Sequence, residues 1–378
     1  MGVSVRLSWL QTVACFTVTL CTGAVELGAP PLDLEQSGAF LHPAPEAKQL
    51  SVDRFDREAA ANFYHDVYMS SEAVGITWSG SLATCTAGAI NDAYQEATAD
   101  RINYFRAMAG LPGDVQLDAA LNALCLEAAL MMSAAGGLSH SPPPSWACFS
   151  AGGANAAGKS NLALGNRGPS AIDAYMRDEG SNNGAVGHRR WILYPRQTVM
   201  GSGSVPDTAG GRSANALWVI NGGTPSGLMQ DCSWPPDGFV PRQFIFPRWS
   251  YSHPGANFLG TTVKMRINGV EQTFTPLPLS NGFGDNTIVW EPGISLAESG
   301  PDLAYTVMIE NFLVGGTPMT ASYEVIAFDV EGVGAVVLPA CGAGERRGNS
   351  WGDWAAACGV VALLTVRGRT RWALRAEG

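Results

Sequence analysis

Two histidines and an acidic turn provide the most concentrated chemistry in this chain. His140 stands between two serines, and His188 follows a glycine and precedes two arginines. Asp178 lies between the two histidines along the sequence, and Glu179 follows it. Two imidazoles and a carboxylate that converge can act as a general base, bind a divalent ion or hold a polar ligand. His140, Asp178 and His188 are therefore the first candidate site.

Length and charge limit the classes of protein that can contain this site. The chain has 378 residues, which exceeds the size at which a single core stops growing, so two folded domains with terminal segments are expected. The formal net charge is −10, with 23 Lys and Arg residues. Clustered basic residues are needed to bind a phosphate backbone, so nucleic acid is not expected as a partner.

The N-terminal residues are typical of an export signal. Arg6 supplies the positive end, Leu7 to Leu20 is mostly apolar, and small residues precede an expected cleavage near Ala24. An ordinary N-terminal helix is the alternative interpretation. Residues 25–52 are rich in Pro and Ala without periodicity, which predicts a flexible leader. The sequence thus predicts a secreted, extracellular or cell-surface protein.

Removal of residues 1–24 would leave six cysteines, at positions 85, 125, 148, 232, 341 and 358. Six cysteines in an exported chain of this size fit one or two disulfides. The preferred pair is Cys125 with Cys148, because a bridge between them would hold the loop of His140 against the preceding helix. A buried free thiol is the alternative state for either cysteine.

Helical periodicity dominates the segment before His140. It predicts a short helix within 54–68, a longer one over 89–109, and a third that begins after an N-cap at Asp118 and ends before Gly136. His140 should therefore lie on the loop beyond the third helix. Residues 170–178 predict another helix, whereas 191–194 and 216–220 are apolar runs that predict buried strands. Helices and strands are thus mixed, with a sheet covered by helices.

The proline-rich run at 234–238 indicates a domain boundary. Beyond it, apolar residues alternate around Met265, Val307 and Val325, and Asn268-Gly269 is a hairpin turn. These strands predict an all-β, Ig-like sandwich over residues 238–336. Residues 341–378 contain an apolar run followed by arginines, which is typical of a sorting or anchor tail and would allow membrane attachment. A final docked helix is the alternative.

Taken together in order and spacing, several short segments resemble the CAP superfamily, which comprises cysteine-rich secretory, antigen 5 and pathogenesis-related type 1 proteins. The matching segments are 101–106, 117–118, 139–141, 161–163 and Gly187-His188 with the apolar run after it. The bacterial secreted branch with a C-terminal β domain is the most similar. This resemblance implies a three-layer α-β-α sandwich, so the expected fold class is α+β, with a CAP-like domain at 53–232 whose core is 85–206.

The resemblance also implies which residues line a central cleft. His140 and His188 match the two family histidines, and Asp178 matches one of the two family acids. Ser160 stands where the other acid is usual, beside Asn161, so Ser160 and Asn161 complete the candidate ligand-binding set. The family associates divalent metal with its histidines, which makes His140 and His188 candidate zinc ligands.

Donor count argues against a strong metal site. His140, His188 and Asp178 supply three donors and one negative charge, fewer than a tightly held divalent ion requires. Zinc binding is therefore expected to be weak or absent. Arg189 and Arg190 would repel a cation, or bind a carboxylate or phosphate, if they faced the cleft. On a strand, alternation would allow at most one of them to face inward.

Two functions of different classes fit these residues. The first is a secreted or surface-attached binding protein whose cleft holds an unknown small molecule, lipid or cell-surface component without transforming it. The second is a hydrolase in which His140 or His188 acts as general base for Ser139, Ser141 or Ser160, or activates a metal-bound water. The predicted domains at 53–336 contain no Gly-x-Ser-x-Gly pattern, which occurs only at 348–352 in the predicted tail, and the sequence contains no His-Glu-x-x-His pattern. This favours the binding protein over an enzyme. A structural pair of histidines, or histidines that never meet, remain alternatives, as does an adhesive surface protein.

Overall fold

A computed structural model describes residues 25–26, 28–30, 48–208, 210–220, 226–332 and 336–337. The predicted signal at 1–24 and the predicted tail at 341–378 lie outside these ranges. The α-helices are α1 (Arg57–Phe63), α2 (Ser70–Glu72), α3 (Asp92–Met108), α4 (Ala119–Ala135), α5 (Ala151–Ala157), α6 (Gly168–Arg177) and α7 (Gly187–Ile192). A π-helix at Tyr64–Met69 joins α1 to α2.

Strands of the described residues form three sheets. The first has the order β1-β3-β5-β4-β2, with β1 (Val25–Glu26), β2 (Gln116–Leu117), β3 (Ser160–Leu164), β4 (Val199–Val205) and β5 (Ala214–Trp218). The second has the order β11-β10-β13-β14-β7, and β9 and β15 also pair with β13. The third has the order β12-β8-β6. The later strands are β6 (Cys232–Trp234), β7 (Gly238–Pro241), β8 (Trp249–Ser252), β9 (Ala256–Asn257), β10 (Thr262–Ile267), β11 (Val270–Phe274), β12 (Thr287–Trp290), β13 (Asp302–Val314), β14 (Thr317–Phe328) and β15 (Val336–Val337).

Helices cover both faces of the first sheet. Along β3, Leu162 and Leu164 point to the core that contains α4, whereas Ala163 between them points to the core that contains α3 and α6. Along β5, Ala216 and Trp218 face α4 and Leu217 faces the opposite side. Alternating side chains of one strand must lie on opposite faces, so the central strands are buried on both sides. This arrangement is consistent with the expected α-β-α sandwich.

Local sequence signals place both ends of α4 correctly. The side chain of Asp118 accepts a hydrogen bond from the Leu121 amide, which confirms it as the N-cap of α4. Gly136 ends that helix with a φ of 66°, a left-handed conformation that glycine adopts without steric penalty. The predicted helices at 54–68, 89–109 and 170–178 correspond to α1 with the π-helix, α3 and α6.

The second and third sheets pack against each other in a sandwich-like arrangement. Trp249 of the third sheet contacts Tyr305 of the second, with ring centroids 5.7 Å apart. The indole nitrogen of Trp290 lies 3.2 Å from the sulfur of Met265. The predicted strands around Met265, Val307 and Val325 are confirmed as β10, β13 and β14.

Three sequence-based expectations differ from the structure. The apolar run at 191–194 was expected to be a strand, but Trp191 and Ile192 complete helix α7. A four-residue apolar run has no periodicity that separates a strand from a buried helix, so packing decides. The expected Cys125–Cys148 bridge is wrong, because Cys148 pairs with Cys85 and Cys125 is a buried free thiol. The expected flexible leader differs at its start, where Val25–Glu26 pairs antiparallel with β3.

Candidate functional site

Asp178 and His188 form a buried ion-pair-like contact at the junction of α6 and α7. Asp178 ends α6 with a φ of 53°, a left-handed conformation that aspartate tolerates better than most residues. This backbone turn points the carboxylate at the start of α7. Its Oδ1 accepts a hydrogen bond from His188 Nδ1 at 2.7 Å, and its Oδ2 accepts from the amide of His188 at 3.0 Å. Both side chains are fully buried.

Tyr175 and Asn161 hold the other sides of His188. The Tyr175 ring stacks on the imidazole with centroids 5.3 Å apart. The Tyr175 hydroxyl lies 2.9 Å from Oδ1 of Asn215 and 3.1 Å from the carbonyl oxygen of Asn161. The Asn161 side chain in turn donates to the carbonyl oxygen of His188 at 3.1 Å. The imidazole is thus contacted by Asp178 and Tyr175, while Asn161 of β3 holds the backbone of His188 and Asn215 of β5 holds the Tyr175 hydroxyl.

Ser160 lies in the interior rather than on a cleft surface. It is fully buried at the start of β3, and its hydroxyl is 3.9 Å from the thiol of Cys125 on α4. Burial raises the pKa of that thiol to about 12. Ser160 and Cys125 are therefore a neutral buried pair.

His140 sits on the loop after α4, as expected, and is only partly buried. Its two ring nitrogens face two backbone carbonyl oxygens. Nδ1 lies 2.8 Å from the oxygen of Ala157 at the end of α5, and Nε2 lies 2.7 Å from the oxygen of Gly28. Carbonyl oxygens only accept, so the protonated ring donates to both and the neutral ring donates to one. His140 thereby links the loop after α4 to the N-terminal segment.

Residues 25–26 and 28–30 form what we call the N-terminal strap. After pairing with β3, the strap passes His140 at Gly28 and reaches α7. The carbonyl oxygen of Pro30 accepts a hydrogen bond from the indole nitrogen of Trp191 at 2.8 Å. Ala29 is buried, and a Cβ built on Gly187 would lie 2.7 Å from its methyl group. The strap therefore lies between the His140 loop and the residue that precedes His188.

Arg189 and Arg190 lie on helix α7 and both are buried, whereas they were expected on opposite faces of a strand. Arg189 donates to the carbonyl oxygens of Met176 and of Arg248. Arg190 donates to the carbonyl oxygens of Ser280 and Asp285. Burial lowers the pKa of both guanidinium groups to about 10. Both side chains join α7 to the segment that follows β7, so neither has the expected role of repelling a cation or binding an anion in a cleft.

The part of the chain that the structure describes contains no cluster of metal-ligating side chains. There, no three His, Cys, Asp or Glu side chains are arranged so that they could hold a metal ion. His188 Nδ1 is engaged with Asp178, and both nitrogens of His140 face carbonyl oxygens. These groups therefore do not fit a zinc centre.

A surface cavity of about 620 Å³ lies elsewhere, beside α3 and the start of α4. Its lining includes Asp92, Glu96 and Asn122 and does not include His140, Asp178 or His188. The histidine site is thus separate from this cavity.

Sequence reasoning found the histidines but missed two groups that surround them. The helix predicted over 170–178 contains Tyr175 without marking it as a site residue, although its ring stacks on His188 and its hydroxyl lies against the carbonyl oxygen of Asn161. Gly28 to Pro30 were assigned to a flexible leader, because small residues and prolines are equally typical of linkers. The one sequence signal that these residues pack against the domain is the small size of Gly28 and Ala29, which permits close approach.

Comparison with known families agrees with the fold. Residues 99–221 match the model of the cysteine-rich secretory protein family, CAP. No curated protein matches the chain. The matched segment begins within α3 and extends past β5, so it contains His140, Asp178 and His188 and stops before the second and third sheets. None of the helices within the described ranges is long and apolar enough to cross a lipid bilayer. The segment from 99 to 221 is therefore similar to CAP domains.

Proposed function

We propose that this chain is a secreted or surface-attached CAP-like binding protein whose ligand site is formed around His140, Asp178 and His188. The ligand is an unknown small molecule, lipid or cell-surface component that the protein holds without transforming it. We also propose that the protein belongs to the bacterial secreted branch, with the strands after residue 238 as an Ig-like domain. The tail at 341–378 would sort or anchor it at the surface.

One observation carries the choice of binding over catalysis. His188 Nδ1 engages the buried carboxylate of Asp178, and both ring nitrogens of His140 face backbone carbonyl oxygens. A general base must lie within hydrogen-bond reach of the proton that it removes. The Ser139 hydroxyl instead accepts from the amide of Ser141, and the Ser160 hydroxyl faces a thiol. The side chains of the site are therefore held in fixed positions by other protein atoms, which suits binding better than proton transfer.

The test compares wild type with His140→Ala, and uses His65→Ala as the matched control because His65 is exposed and lies on the π-helix. We expect all three proteins to hydrolyse p-nitrophenyl acetate at the same rate, since neither histidine is expected to act as a base. Calorimetric titration with zinc should give equally weak or undetectable binding for all three. A hundredfold lower ester hydrolysis in His140→Ala alone, or zinc binding that only this variant loses, would refute the proposal.

A further inference from the structure

The strap lies against His140 and α7 in the manner of a bound peptide. Beyond β1, the described hydrogen bonds of the strap are made by its backbone carbonyl oxygens and not by long side chains. The carbonyl oxygen of Gly28 faces His140 Nε2 at 2.7 Å, and the carbonyl oxygen of Pro30 accepts from Trp191 at 2.8 Å. Recognition by backbone groups is the usual way in which a protein holds an extended peptide.

The edge of the first sheet supplies the second half of this recognition. Strand β1 lies at the end of the sheet order, beside β3, with Val25 opposite Leu164 and Glu26 opposite Ala163. Without β1, β3 would be an edge strand whose backbone groups require another partner. A peptide that adds to a sheet edge satisfies those groups, while pockets beside the edge select its side chains.

The strap also shows which side chain the site accepts. Ala29 is buried against Gly187, where a Cβ on the glycine would lie 2.7 Å from the alanine methyl group. The same Cβ would lie 3.1 Å from the Phe283 ring. The methyl group of Ala29 therefore packs directly against Gly187, which leaves no room for a longer side chain to extend in that direction.

From these contacts we propose that the histidine site binds extended peptides with a small residue next to a proline, and that the strap is its built-in occupant. This inference rests on the proposed binding function and names its ligand class. A tethered segment is present at an effective concentration of the order of millimolar, so it blocks weaker competitors from solution. Cleavage of the expected signal near Ala24 would place the strap at the N-terminus of the exported chain, where it could be displaced from its free end.

The experiment measures binding of a fluorescein-labelled peptide with the sequence of residues 25–32 by fluorescence anisotropy. Ala29→Arg in the full chain should release the strap, because an arginine cannot enter the space beside Gly187. The matched control is Ala120→Arg, which makes the same change at an exposed alanine of α4. We expect Ala29→Arg to bind the peptide at least tenfold more tightly than wild type and Ala120→Arg. Adding His140→Ala to the released protein should weaken binding roughly three- to tenfold, the loss of one hydrogen bond.

Ala29→Glu repeats the release with the opposite charge and keeps the test decisive if the arginine variant does not fold, which circular dichroism will show. The inference is overturned if folded Ala29 variants bind the peptide no better than Ala120→Arg. It is also overturned if a scrambled peptide binds equally well. The ester hydrolysis and zinc titrations do not depend on peptide binding. Failure of this inference is therefore distinguishable from failure of the binding function itself.

Discussion

At the scale of single residues, the position of Asp178 determines how the candidate site is built. Its carboxylate accepts hydrogen bonds from the His188 ring and from the amides of His188 and Arg189. Its own carbonyl oxygen accepts from the guanidinium of Arg248 at 2.7 Å. One buried side chain thus fixes the imidazole and satisfies the first amides of α7, which have no partner within the helix.

Asp178→Asn should therefore destabilise the protein, because an amide nitrogen cannot accept the hydrogen bonds that a carboxylate oxygen accepts. We expect a loss of roughly 2–4 kcal/mol in the free energy of unfolding. Urea denaturation followed by tryptophan fluorescence measures it. Glu179→Gln is the control, since the same chemical change at this exposed neighbour should cost less than about 0.5 kcal/mol. Equal stabilities for the two variants would contradict the assigned role of Asp178.

At the scale of elements, the central strands approach the helices more closely than side chains would ordinarily allow. Strand β4 carries Gly201 and Gly203 on the face that contacts α4. A Cβ on Gly203 would overlap the backbone of Cys125 and Leu126. The absence of side chains at these positions brings α4 onto the sheet and, with it, places the start of the His140 loop.

Gly203→Ala should push α4 away from β4 and cost roughly 3 kcal/mol, since backbone atoms cannot rearrange as a flexible side chain can. Gly75→Ala is the control, because a Cβ there would meet no atom within 4 Å. Its effect should stay below about 0.5 kcal/mol. Thermal unfolding by circular dichroism compares the two proteins, and a Gly203→Ala variant as stable as Gly75→Ala would disprove the close approach.

At the scale of the whole molecule, one buried apolar cluster runs from the segment that matches CAP into the second and third sheets. It includes Phe105 and Tyr175 at one end and Trp249 and Val307 at the other. Arg189 crosses the same region, donating to Met176 and to Arg248. The domain boundary at 234–238 rests on composition and stays a prediction. The continuous apolar cluster predicts that the segments on either side of it unfold together.

Unfolding should accordingly be a single transition, with tryptophan fluorescence and far-UV circular dichroism giving coincident curves in urea. Arg189→Ala should shift both curves together and lower stability by roughly 3–5 kcal/mol, because its removal leaves buried carbonyl oxygens without donors. Arg177→Ala, at a side chain that is 47% exposed, should cost less than about 1 kcal/mol. Two separate transitions in wild type would show that the two segments fold independently.

Signals within short stretches of sequence predict the local elements and supply the residue types of the site. Asp118 and Gly136 mark the ends of α4, and alternation around Met265 and Val307 marks strands, because these signals act over a few neighbouring residues. The order of short motifs also identified the similarity to CAP. Long-range packing, in contrast, makes residues 191–192 helical, pairs Cys148 with Cys85 and brings the strap to His140. Those outcomes depend on which distant groups pack together, and no short segment of sequence contains that information.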